Sequence, residues 1–187
     1  YPYAAPTRSF LFQGGAVGDI AAADFGGRIP VLAHGSNRAP AQLARKFEGA
    51  SVEREIPVTY GWLADHDVVY SAHVTRYGAV ASTLRRVAGC RVRVAVTWLT
   101  EGHLAAMHAS EGENYPYGQL NAVDLRLEAG PGEGLRAVGL YHSCHGCLAW
   151  KGAPLGLSVV EAEGRPHAVL AQEEVLRLLR DDGYLSD

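Results

Sequence analysis

The chain has 187 residues, a mass of 20.0 kDa, seventeen Lys and Arg against twenty Asp and Glu for a formal net charge of −3, and 48% hydrophobic residues. That length builds one domain or slightly more with its own core, and near-average composition with net negative charge excludes intrinsic disorder and a polybasic nucleic-acid binder. No stretch approaches the roughly eighteen consecutive apolar residues of a membrane span, and the opening segment has only a short apolar run before two glycines, so no membrane partner and no secretory signal are expected. Cys90, Cys144 and Cys147 are too few for a disulfide scaffold, which makes a reducing, cytoplasmic setting the expectation. Only Lys46 and Lys151 are lysine, a usage read as the codon bias of a GC-rich, bacterial genome.

Residues 1–28 are rich in Ala, Gly and Pro without a sustained period and read as an N-terminal extension, leaving 29–187 as the folded domain. Ile29 to Ala33 is a short continuous apolar run, the pattern of a buried strand. It leads into the turn cluster His34-Gly35-Ser36-Asn37, and Pro40 then opens a short helix with Leu43 and Phe47 on one face. Asp67 to Val74 and Arg91 to Trp98 read as strands, the second from its alternating Val92, Val94, Val96 and Trp98. Thr100 caps a helix carrying Leu104 and Met107 that ends near Ser110-Glu111-Gly112. Val123, Leu125 and Leu127 alternate again, Gly130-Pro131-Gly132 breaks that strand, Leu135 to Tyr141 forms another, and Gln172 to Arg180 is helical with Val175, Leu176 and Leu179 on its apolar side. About six strands and three short helices predict an α+β domain built on a small, mixed, strongly curved sheet or barrel.

Three groups of residues carry chemistry. The turn from His34 to Asn37 lies where a strand meets a helix, so unpaired backbone N–H groups there suit a carboxylate or a developing oxyanion, with Gly35 removing side-chain bulk. Gly-Ser-Asn is also ordinary turn chemistry. Glu111, on a loop flanked by apolar helix residues and by Tyr115 and Tyr117, suits a general base that takes a proton from an amine, although Glu113 is locally almost equivalent and a solvated Glu beside a capping glycine gives the same pattern. His142, Cys144, His145 and Cys147 form a dense cluster, but one Cys-x-x-Cys is half of a structural zinc site and no second half follows. His103 and His108, five apart on one helix, point to different faces and do not share a metal. Arg76-Tyr77-Gly78, Arg85-Arg86, Arg91 and Arg93 make the middle of the chain basic, which complements an acidic small substrate or simply solvates strand faces. Phosphate-loop, nucleophile-elbow and His-Glu-x-x-His motifs do not occur.

The order of these pieces is more specific than any one of them. A strand, the Gly35-Ser36-Asn37 turn, a short helix, Tyr77 to Leu84, a Val-alternating strand, Leu99 to Met107, then Glu111-Gly112 ahead of Tyr115 resembles the gamma-glutamylcyclotransferase family over about residues 29–180. His34 departs from the tyrosine usual before that Gly-Ser-Asn, and the interval from Glu111 to Tyr115 is short enough that Tyr117 is an alternative to Tyr115. The resemblance implies a small α+β barrel with a cavity at one end of its strands. It further implies a glutamate, matched by Glu111, that takes a proton from the substrate's α-amino group, which then attacks its own γ-carbonyl to release 5-oxoproline and an amine or amino acid. It places Gly35, Ser36 and Asn37, with His34, Tyr115 and Tyr141, around the substrate. Ring closure is intramolecular, so a site that holds a folded conformer and offers a base and an oxyanion donor needs neither metal nor cofactor. A small-molecule γ-glutamyl substrate is the expected partner. The competing expectations are a non-catalytic domain that holds a small acidic ligand in the same cavity, and a zinc or thiol-redox protein centred on Cys144 and Cys147.

Overall fold

The computed structural model describes residues 3–49, 52–132 and 134–184. Its elements run β1 (Phe10–Gln13), β2 (Ala16–Asp19), β3 (Ile29–Ala33), α1 (Pro40–Phe47), β4 (Glu55–Val74), β5 (Val80–Leu99), α2 (Glu101–Glu111), β6 (Tyr117–Leu127) and β7 (Gly134–Tyr141). Five two-residue strands follow, β8 (Ala149–Trp150), β9 (Ala153–Pro154), β10 (Gly156–Leu157), β11 (Ala162–Glu163) and β12 (Val169–Leu170), and then α3 (Gln172–Asp181).

Strands β5, β3, β7, β6 and β4 close into a barrel, because β4 and β5 also pair directly. Closure gives every strand an inner and an outer face. Leu32, Leu63, Val92, Val94, Val96, Leu125 and Val138 fill one core, to which α3 adds Val175 and Leu179. Val31 and Ala33 turn the other way, into a second core with Leu43 of α1 and Met107 of α2. Strand β3 is therefore buried on both faces, which is why its sequence is continuously apolar rather than alternating.

The α+β class and three α-helices agree with the sequence reading, but among the described residues there are twelve strands, not about six. The lead-in supplies two of them. Gly14 and Gly15, with φ of +59° and +113°, turn β1 back on β2, and β1 pairs with β4 while Phe10, Leu11 and Phe12 are buried. Strands β4 and β5 run twenty residues each, more than twice the stretches whose alternation is visible. Pro57 conceals the start of β4. It pairs with Leu11 and lies beyond the β4–β5 ladder, a position where proline is tolerated. Register shifts after Ala64 and Tyr70 bend the pair, so the tip of the β4–β5 hairpin, Thr75 to Ala81, comes back over the end of the barrel where β3 and β7 finish. No helix among the described residues is long and apolar enough to cross a membrane.

Candidate functional site

At that end of the barrel lies a cavity of about 310 Å3. Its wall includes His34, Gly35, Ser36, Asn37, Glu111, Tyr115 and Tyr141, seven residues contributed by four separate stretches of the chain. Glu113 and Tyr117, the local alternatives to Glu111 and Tyr115, are exposed and do not line it.

Glu111 is the last residue of α2. Thr100 caps that helix, its side chain accepting from the His103 N–H, and Gly112, at φ +62°, ends it. Glu111 lies one turn beyond Met107, which is buried, so the carboxylate projects from the covered face with 13% of its side chain exposed. Asn37 Nδ2 donates to Glu111 Oε1 at 2.5 Å, and Lys46 Nζ donates to the same oxygen at 2.6 Å. Glu111 is the one carboxylate among the described lining residues, facing the cations Arg45, Lys46 and Arg76. Burial pulls the Lys46 ammonium below its usual range, and the Glu111 charge works against that shift.

Asn37 comes from a single 3-10 turn, Ser36–Arg38, between β3 and α1. A Cβ on Gly35 would stand 2.9 Å from Ser82 Oγ, so the approach of β5 favours glycine there. That serine also meets His34, whose Nδ1 lies 3.3 Å from Ser82 Oγ while Nε2 donates to the Tyr141 carbonyl at 2.8 Å. The carbonyl only accepts, so Nε2 carries the proton. Burial lowers the His34 pKa and keeps the ring neutral. Both tyrosines present rings rather than free hydroxyls. Tyr115 donates to the Ser82 carbonyl at 3.1 Å, with its pKa pushed up to about 12 mainly by burial, and Tyr141 bonds His108 Nδ1 at 2.8 Å, its pKa raised for the same reason.

The sequence reading passed over Lys46, Arg45 and Ser82. A signal for Lys46 was available: it follows Leu43 by three and Gln42 by four, so it shares the covered face of α1, and it is one of two lysines in the chain. Arg76 and Tyr77 of the basic middle segment reach the cavity rim, whereas Arg85 and Arg86 do not. In the His-Cys cluster, His145 stacks on His73 with centroids 4.6 Å apart and bonds Asn114 Oδ1 at 2.8 Å. Cys144 is exposed, Cys147 half-buried and Cys90 buried. Among the described residues no three His, Cys, Asp or Glu side chains are grouped to hold a metal ion.

No protein-family model and no curated protein matches the sequence. Solved structures do match in shape. A protein described as "Gamma-glutamyl cyclotransferase" superposes with a TM-score of 0.51 at 12% identity, over 81% of this chain and 99% of its own. A protein of Arabidopsis thaliana (16% identity, 85% and 87% covered) and an uncharacterized protein of Homo sapiens (14%, 81% and 99%) each superpose with a TM-score of 0.48. The barrel thus shares its fold with a solved structure described as a gamma-glutamyl cyclotransferase.

Proposed function

We propose that the protein cyclises a γ-glutamyl compound, releasing 5-oxoproline and an amine or amino acid, with Glu111 as the general base. The observation that carries this reading is a lone carboxylate, Glu111, set in a cavity wall beside the Gly35-Ser36-Asn37 turn, in a fold shared with a cyclotransferase. The chemistry needs little else. The base takes a proton from the substrate's α-ammonium, the freed amine attacks the γ-carbonyl carbon four bonds away in the same molecule, the carboxylic acid returns its proton to the departing amine, and the ring nitrogen gives its surplus proton to water. Arg45 and Arg76 supply positive charge suited to the substrate's α-carboxylate. Incubation with γ-glutamyl dipeptides, γ-glutamyl amines and glutathione, followed by assay of 5-oxoproline, tests the reading. Turnover of at least one compound is expected, and silence across the panel contradicts it.

One observation favours a second reading, a non-catalytic small-ligand-binding domain. The Lys46 ammonium already occupies Glu111 in the way a substrate amine would. That reading predicts saturable binding of the same compounds, measured by calorimetry, with no 5-oxoproline formed.

A further inference from the structure

We propose that Lys46 is a positioning residue: with Asn37 it fixes Oε1 of Glu111 and leaves Oε2 as the oxygen that takes the substrate's proton. The inference rests on the cyclisation reading above and assigns a role within it. Three elements converge on one atom. Glu111 ends α2, Lys46 comes from α1, Asn37 comes from the turn after β3, and both donors meet Oε1 at 2.5–2.6 Å. Among the described residues no donor meets Oε2. One oxygen is committed to the protein while the other keeps its lone pairs for an incoming N–H.

The cost of this arrangement argues that it has a use. The Lys46 side chain is 8% exposed, with Nζ also 3.5 Å from the thioether sulfur of Met107, and an apolar residue would fill that space without desolvating an ammonium. A compact ammonium can aim one donor at one oxygen and leave its neighbour open. The bidentate fork of an arginine, the cation used elsewhere in the chain except at Lys151, would tend to engage both. In the cycle one α-ammonium N–H bond breaks as an O–H bond forms on Oε2, the amine lone pair closes the ring on the γ-carbonyl carbon, the C–N bond to the leaving amine breaks as that proton is handed to its nitrogen, and the ring nitrogen releases its surplus proton to water. Lys46 keeps its own protons throughout.

The test is a double-mutant cycle on the full chain, with 5-oxoproline release measured at equal concentrations of folded protein. Lys46→Met is expected to lower kcat about 10- to 100-fold with KM little changed, as expected when a reacting group loses its alignment. Lys46→Arg does not recover that loss, because its fork reaches both oxygens, and Lys46→Met placed on Glu111→Gln adds no further loss, because Lys46 acts through Glu111. If Lys46→Met does not fold, Lys46→Gln is read in the same way. An unchanged kcat, or a loss that adds in full to that of Glu111→Gln, overturns the assignment while leaving cyclisation standing. A wild-type protein silent on the whole panel overturns the cyclisation reading and this inference with it.

Discussion

Asp67 and Glu111, the first buried and the second half-buried, are each paired with basic side chains, and their difference separates a structural lock from a candidate site. Asp67, fully buried on β4, is saturated. Its Oδ1 accepts from the Val68 N–H and from Arg165 Nη2, and its Oδ2 accepts from Arg165 Nε and His167 Nε2, all at 2.8–2.9 Å. Nothing remains for a ligand, and Asp67 is not among the described residues lining the end cavity. Glu111 has the same kind of partners, but both act on one oxygen, beside a cavity. Of the four donors on its two oxygens, the three from Arg165 and His167 tie residues 165–167 to the barrel. Two donors on one oxygen orient the other.

The largest effect that would break this comparison is on stability. Asp67→Ala strands the Arg165 guanidinium, 11% exposed, without its partner, and is expected to cost about 3–5 kcal/mol in chemical denaturation. A cost below about 1 kcal/mol would mean that the saturated carboxylate locks nothing. A smaller, pH-dependent effect concerns two buried histidines. His34 and the fully buried His103, whose Nε2 donates to the Glu53 carbonyl, both have pKa values lowered by burial from 6.5. The unfolded chain therefore binds protons that the folded chain does not as pH falls through 6.5, so stability is present above that pH and declines below it until the folded-state pKa values are passed. The melting temperature should fall between pH 7.5 and pH 5.5, and a flat profile would mean that burial does not lower these pKa values. The smallest effect is that of Glu113→Gln. This exposed neighbour of Glu111 should change turnover less than about twofold and stability by less than about 0.5 kcal/mol.

The two carboxylates also differ in how readable they were. Glu111 and Asn37 belong to elements with strong local signals: the doubly buried β3, the Pro40 start of α1, the Thr100 cap and the Gly112 stop of α2. Local chemistry brackets such residues, and the order of the elements brings them together. Even so, Lys46 was passed over because spacing along a short helix says that a side chain is covered without saying what covers it. The Asp67 lock depends on Arg165 and His167, 98 and 100 residues further on, in a segment of two-residue strands with no period to read. The β1–β2 hairpin was hidden for another reason. Its four-residue strands are too short for alternation to stand out, and the burial of β1 depends on pairing with the equally concealed first half of β4.

Of the two carboxylates, the half-engaged Glu111 is the one proposed to react. The most direct measurement compares 5-oxoproline formation by wild type and by Glu111→Gln, at equal folded concentration, on whichever γ-glutamyl compound the panel identifies. A loss of roughly 10²- to 10⁴-fold is expected, the usual contribution of a positioned base, with the melting transition still cooperative. Equal rates from the two proteins would contradict it.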